Sequence, residues 1–341
     1  GDPRFDMADL LALVERARQA GLARVTGRFL ADGTALPAIP ALDPAQPRDA
    51  AYNPALDGLA LAENARRLEW RSQGPEADRA WFVPDIDPRA EARALAADRT
   101  TPAGAEWLLF RALAAPAGLA LPPPRDGAIP CAHEIARRES PPRDRVLAEM
   151  LATSSNPMAE MLGLAAARSE GAAVRSLPAA AAHTRAWLTR TFPETDWRTA
   201  HIPNHSGLSA EARLTPRQMT DILAYAYDSG AGEGATPFPA LLGAGGWDRP
   251  LVKRLAAPET ALRVWAKTGT MHYGVGLAGY LYGGDGQVYA FAFYASDLTA
   301  RRAYDPFASD PPEAVEAAAE RWDAAARRAI DRALIEVARR L

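Results

Sequence analysis

Between residues 262 and 296 the apolar positions change period, and that change sets the fold class. From 143 to 228 apolar residues recur at helical spacing, whereas 262–267, 275–282 and 287–296 are short apolar or alternating runs of strand length. Gly283-Gly284-Asp285-Gly286 joins the last two runs as a hairpin turn. Gly274, Gly276 and Gly279 in the middle run predict that another backbone comes close there. Helices are expected over 143–151, 157–167, 178–191 and 216–228. Two of them carry start signals. Asn156-Pro157 sets a capping residue before a proline at the first helical position, and Thr215-Pro216-Arg217-Gln218 forms a capping box. A closing helix over 311–340 has Val315, Ala318, Ala319, Trp322, Ala325, Ile330, Leu334 and Val337 as its apolar stripe. Helices on either side of an antiparallel sheet make an α+β fold.

The first third of the chain is less regular. Met7, Leu10, Leu11, Val14 and Ala17 predict an amphipathic helix over 7–20, ended by Gly21. A short strand is expected near 24–30, with Val25 and Phe29 on one face. Residues 31–58 read as loop, interrupted by Pro37, Pro40, Pro44, Pro47 and Pro54. Weak strands over 59–70 and 81–84 and a helix over 103–113 follow. Pro122-Pro123-Pro124 then marks a boundary between a mixed α/β region, 1–124, and a second domain, 125–341.

Composition removes several classes of function. No run approaches the roughly 18 apolar residues of a membrane span, so no integral membrane segment is expected. A formal net charge of −3 makes no electrostatic case for nucleic acid. The single cysteine, Cys131, excludes an intrachain disulfide and a multi-cysteine zinc site. Of 39 basic residues, only Lys253 and Lys267 are lysine.

The rarity of lysine makes its context informative. With this composition a chance Lys-Thr-Gly is expected about 0.007 times, yet Lys267-Thr268-Gly269-Thr270 closes the first strand run. An ammonium beside hydroxyls and a glycine, borne on a strand, is a carboxylate receptor whose edge can take an extended peptide. The plain alternative is a lysine entering a turn. Ser154-Ser155-Asn156 is ambiguous by itself, since Ser and Asn are also ordinary helix caps.

Taken together and in this order, the motifs resemble those of the serine D-alanyl-D-alanine peptidases, specifically the class C low-molecular-mass penicillin-binding proteins. That family carries Ser-x-x-Lys, Ser-x-Asn and Lys-Thr-Gly in sequence. Ser154-Ser155-Asn156-Pro157-Met158-Ala159-Glu160 is similar to its Ser-x-Asn-x-x-Ala-Glu helix start, and Ser140-Pro141-Pro142 lies upstream as is usual. His205-Ser206-Gly207-Leu208-Ser209 resembles its Gly-Ser-Gly-Leu-Ser turn. The segment 248–254 resembles its Asp-Gly-Thr-Leu-x-x-Arg, with Arg249 and Pro250 in place of Gly and Thr.

The resemblance implies a β-lactamase/transpeptidase-like fold and a D-Ala-D-Ala carboxypeptidase or endopeptidase acting on peptidoglycan stem peptides. It also implies acylation by β-lactams, a periplasmic or cell-envelope location, and no cofactor or metal. Ser154 would relay a proton to the leaving amine, and Asn156 would hold the substrate's peptide. Lys267 would attract the terminal carboxylate, with Thr268 and Thr270 hydrogen-bonding it beside Gly269. The Thr270 N–H would be half of an oxyanion hole.

One element of the pattern is absent. Pro250 stands three residues before Lys253 and Val264 three before Lys267, so neither completes Ser-x-x-Lys. The chain opens Gly1-Asp2-Pro3, resembling a Gly-Asp-Pro near the start of the region this family inserts after its nucleophile. The expectation is therefore an N-terminally truncated peptidase with its nucleophile outside these residues, inactive alone. The alternative is a non-catalytic peptidoglycan-binding homologue.

Other arrangements weigh less. Cys131-Ala132-His133-Glu134 could form a metal cluster or a Cys nucleophile with its base, but neighbours on an extended segment rarely converge. Ser206 beside His205 lacks Gly-x-Ser-x-Gly and reads as a turn. His183, His201 and His272 show no ligand spacing.

Overall fold

The computed structural model describes residues 2, 4–46, 50, 52–59, 110–111, 113–122, 124–127, 133–230, 236–308 and 311–341. The strands expected over 59–70 and 81–84, most of the helix over 103–113, and Cys131 lie outside them. The chain divides into two compact units: Gly1–Pro141 with Asn156–Ala180, and Pro142–Ser155 with Ala181–Leu341.

In the first unit, α1 (Met7–Gln19) opens with a capping box in which the Asp6 carboxylate takes the N–H groups of Ala8 and Asp9. Its buried Val14 and Ala17 pack with Ala114 and Leu119. The strand expected near 24–30 contracts to β1 (Phe29–Ala31), which pairs in parallel with β2 (Pro124–Asp126). Arg24 forms only an isolated bridge with Ala120. The unit also contains α3 (Asn156–Ser169), which buries Met158, Met161 and Leu164.

The second unit contains α2 (Arg143–Thr153), most of α4 (Leu177–Thr191) and α5 (Pro216–Ser229). The Thr215 hydroxyl accepts from the Gln218 N–H, and the Gln218 side chain accepts from the Thr215 N–H, which fixes the start of α5. An antiparallel sheet follows in the order β3 (Gly243–Ala244), β4 (Val264–Met271), β5 (Gly274–Tyr282) and β6 (Val288–Ser296). The short α6 (Leu298–Tyr304) and the long α7 (Glu313–Ala338) complete the unit. Among the described residues, no helix is long and apolar enough to cross a membrane.

Strand alternation gives the sheet two distinct faces. On one, Val264 and Ala266 of β4 join Val275, Leu277 and Leu281 of β5 and pack against Ala326, Ile330, Leu334 and Ala338 of α7. Each fully buried leucine of this layer contributes about 1.5–3 kcal/mol of transfer free energy. On the other face, Trp265, Ala278 and Tyr280 pack with Leu223 of α5 and Leu151 of α2. Lys267 lies on this second face, because it is paired with Ala278 and follows Trp265 by two residues.

Three further details differ from the sequence expectations. Lys267-Thr268-Gly269-Thr270 lies within β4 rather than at its end, because the β4–β5 ladder runs on to Met271↔Gly274. The buried stripe of α7 runs through Ala319, Asp323, Ala326, Ile330, Leu334 and Ala338, while Ala325 and Val337 are exposed. The helix following Ser155 starts at Asn156, so Asn156 is not its cap. Pro157 is still tolerated there, since the first four N–H groups of a helix have no intrahelical partner.

Gly279 explains how tightly β4 is held. A Cβ built there would lie 2.1 Å from the Trp265 carbonyl oxygen and 2.6 Å from the Ala266 Cα. Gly279→Ala should therefore force β4 away from β5 and cost about 1–3 kcal/mol or more, measured by urea unfolding followed through tryptophan fluorescence. Gly269→Ala, with nothing within 4 Å of its added methyl, should cost far less.

Candidate active site

β3 covers only the first part of the outer edge of β4. It pairs Gly243 with Ala266 and Ala244 with Trp265. Among the described residues, no strand pairs with that edge from Lys267 to Met271. The Gly245 N–H donates to the Val264 carbonyl at 2.8 Å, so Val264 turns its backbone groups towards β3. By the two-residue period, Ala266, Thr268 and Thr270 do the same. Thr268 and Thr270 therefore offer N–H and C=O groups along an open edge.

The Lys267 ammonium stands beside that edge. Its Nζ donates to Ser154 Oγ and, at 2.7 Å, to the Thr268 carbonyl. An ammonium has three donors, so one N–H is left over. No carboxylate of the described residues lies within ion-pair distance of Nζ. Burial alone pushes Lys267 below its ordinary pKa, with no charged partner contributing. A half-buried cation without a counter-ion is costly, and an incoming carboxylate removes that cost.

Ser154 is held by the end of α2. It adopts φ 56° and ψ 41°, the left-handed conformation, and its N–H closes the helix on the Met150 carbonyl. A non-glycine residue in this region costs on the order of 1 kcal/mol or more. The strain is stored where the side chain meets Lys267.

Among the residues expected from sequence, Ser154 and Lys267 come together. The Asn156 side chain instead donates to the Tyr52 carbonyl at 2.9 Å, within the first unit. Thr268 and Thr270 start on the face of β4 opposite to Lys267, opposite Leu277 and Val275, while their backbone groups face the edge. Gly269 is exposed. The segment from Asp248 to Arg254 braces the sheet. Asp248 accepts from the Ala244 N–H at 3.0 Å, and Arg254 grips Asp331 of α7 through two bonds of 3.0 and 2.7 Å.

His205 lies 2.9 Å from the Thr184 hydroxyl, and Gly207 sits at φ 74° in the turn. Glu134 pairs with Arg137. Among the described residues, no three His, Cys, Asp or Glu side chains are arranged to hold a metal ion.

The sequence reading missed the far end of the edge. His272 lies between two carboxylates, with Nδ1 3.0 Å from Asp323 and Nε2 3.1 Å from Glu316. Asp323 also accepts from the Tyr273 N–H at 3.0 Å. The available signal was an aspartate in phase with the buried stripe of α7, four residues after Ala319 and seven before Ile330.

Comparison with known proteins agrees with this architecture. A model of the family described as D-Ala-D-Ala carboxypeptidase 3 (S13) matches residues 126–310, more than half of the chain. Penicillin binding protein 4 of Haemophilus influenzae superposes with a TM-score of 0.63 at 17% identity, over 87% of this chain and 74% of that one. A predatory endopeptidase of Bdellovibrio bacteriovorus, solved in complex with an immunity protein, gives 0.54 at 16% identity, over 99% and 75%. A β-lactam complex of the Haemophilus protein gives 0.50 at 20% identity, over 58% and 45%. No curated protein sequence matches at significance.

With only two lysines, the side-chain signals of Lys267 can be assigned by a Lys253→Arg variant. The ε-carbon resonance of Lys267 should titrate with a midpoint below the ordinary 10.5, measured by carbon-13 NMR. Since the ammonium exists only below that midpoint, affinity for a carboxylate ligand should fall as pH rises through it. Binding should also fade as the ligand's own carboxylate protonates, near pH 3.5.

Proposed function

Because this chain belongs to the D-Ala-D-Ala carboxypeptidase 3 (S13) family, we propose that the open edge of β4 binds the D-Ala-D-Ala terminus of peptidoglycan stem peptides for cleavage through an acyl-enzyme. The observation that carries this reading is the Lys267 ammonium, hydrogen-bonded to Ser154 and without a carboxylate partner among the described residues. A peptide laid along the edge would pair with the outward N–H and C=O groups of Thr268 and Thr270. Its terminal carboxylate would take the remaining donor of Lys267, and the Thr270 hydroxyl, which starts on the opposite face of β4, would have to turn to the edge to bond the same group. The Thr270 N–H would stabilise the oxyanion as negative charge develops on the scissile carbonyl oxygen.

The chemistry needs a nucleophilic serine, and these 341 residues contain no Ser-x-x-Lys. The reading therefore places that serine and its lysine outside them, with 125–341 as the rest of the peptidase domain and 1–124 as accessory. The serine oxygen attacks the carbonyl of the penultimate D-Ala, and its proton leaves to the base. The C–N bond breaks, and the terminal D-Ala departs as its amine gains a proton through Ser154. Water then cleaves the ester, restoring the serine and releasing the shortened peptide. The role of Asn156 in holding the substrate's peptide rests on the Ser154-x-Asn156 motif alone. β-Lactams would acylate the same serine, as supported by the β-lactam complex of the Haemophilus protein. Such a substrate places the enzyme in the cell envelope or periplasm.

The missing motif also supports a second reading, in which the chain binds peptidoglycan termini without cutting them. A fluorescent penicillin applied to the full-length gene product separates the two. Labelling of a serine three residues before a lysine supports the peptidase. Binding of acetyl-D-Ala-D-Ala without labelling supports the binding module. Lys267→Ala should weaken peptide binding about 10- to 100-fold, the range for one charge-assisted hydrogen bond, while Lys253→Ala leaves it unchanged. The 341 residues alone should bind the peptide and release no D-Ala. Turnover by them would overturn the placement of the nucleophile.

A further inference from the structure

From the contacts at the β4–β5 turn we infer that Asp323 and His272 are positioning residues that hold the Lys267–Thr270 edge in register for its ligand. The inference rests on the reading that this edge receives a carboxylate-terminated peptide.

β4 and β5 are joined by only two residues, His272 and Tyr273, after the Met271↔Gly274 pair. Tyr273 has φ 61°, a left-handed conformation unfavourable to a bulky aromatic residue. It is fixed from both sides. Its N–H donates to Asp323 Oδ1 at 3.0 Å, and its carbonyl accepts from the Asp297 N–H at 2.9 Å. Its ring packs against Trp322 and Tyr304, with centroids 5.7 and 6.2 Å away. His272 is clamped in the same cluster by Asp323 and Glu316, and Glu316 also accepts from the Tyr304 hydroxyl at 2.7 Å.

Asp323 is the unusual member. It is 1% exposed and occupies a place in the α7 stripe where an aliphatic side chain would pack without a desolvation cost. What it touches is the turn: one carboxylate oxygen takes the strained Tyr273 N–H and the other meets the His272 ring. Thr270 is two residues from His272, about 7 Å along a strand. Beyond Ala266 no described strand supports the outer side of β4, so the alignment of Thr268 and Thr270 depends on β5 and on this anchored turn.

The test compares Asp323→Leu with Asp323→Asn. Both lose the same charge, but the asparagine amide can still accept from Tyr273 and face His272. A third variant, His272→Ala, changes a turn residue less buried than Asp323 and guards against misfolding of the buried substitutions. Two readouts are taken on the 341-residue chain below its melting temperature. One is the dissociation constant for acetyl-D-Ala-D-Ala, and the other is the Lys267 ε-carbon titration without ligand. Asp323→Leu should weaken binding at least 10-fold and move the Lys267 midpoint towards the ordinary value as the edge hydrates. His272→Ala should do the same to a smaller degree, and Asp323→Asn should stay within about 3-fold of wild type.

Folded Asp323→Leu or His272→Ala protein with wild-type affinity and titration would overturn the inference. So would an asparagine variant as impaired as the leucine one. If Asp323→Leu does not fold, the His272→Ala result decides. If wild type does not bind the peptide, the carboxylate reading fails, and the ligand-free titration still judges the positioning role.

Discussion

An ammonium drawn between a strand edge and the end of a helix needs acceptors for three donors. Around Lys267 the protein supplies two, the Ser154 hydroxyl and the Thr268 carbonyl. Neither carries a charge to balance it. Three features of the second unit frame this cation. α2 ends with Ser154 forced into a left-handed conformation, so that its hydroxyl reaches across to β4. β3 stops after two residues, leaving the edge open where the ammonium stands. The sheet's other face is sealed by leucines and by α7.

Contacts on several sides hold this edge. Gly279 lets β5 press against the Trp265 carbonyl, and the Arg254–Asp331 pair ties the loop between β3 and β4 to α7. Removing one partner of such a half-buried pair costs more than the pair itself contributes, because the remaining charge is stranded. The edge is thus held from below by packing, at one end by β3 and at the other by the anchored turn. An edge held in this way would not have to be ordered by the peptide proposed to bind it, so less binding free energy would be lost to ordering.

Much of this was legible in the sequence, for reasons that differ residue by residue. The capping box at Thr215 and Gln218 acts within four residues, so local chemistry sufficed. The three strands declared themselves by period; of the three glycines expected to admit a close backbone, Gly279 does so, whereas Gly276 meets the Tyr294 ring and Gly274 has only an ordinary contact. Lys267 stood out because lysine is so scarce. What failed was the side-chain geometry of residues whose partners are remote in sequence. Asn156 looked like a cap, but its amide finds a carbonyl 104 residues away. Asp323 was hidden because a helical stripe was read by counting apolar residues, and the buried phase contained a charge. His272 had no partner nearby in sequence, since both of its carboxylates come from the closing helix.

The choice of lysine at position 267 follows from the same requirements. All but two of the 39 basic residues are arginine, so the exception is specific to place. A guanidinium would present a planar fork of five donors and would stay charged at any working pH. It would grip a carboxylate in two parallel bonds, but its planar fork could not converge on the point shared by the Ser154 hydroxyl, the Thr268 carbonyl and the carboxylate proposed to join them. An ammonium is compact enough to do so, and burial brings its pKa down, so its charge is less firmly held than that of an exposed lysine. That property suits the proton relay proposed for Ser154. Lys267→Arg would preserve the charge and lose the geometry, which separates the two contributions more cleanly than removal of the side chain.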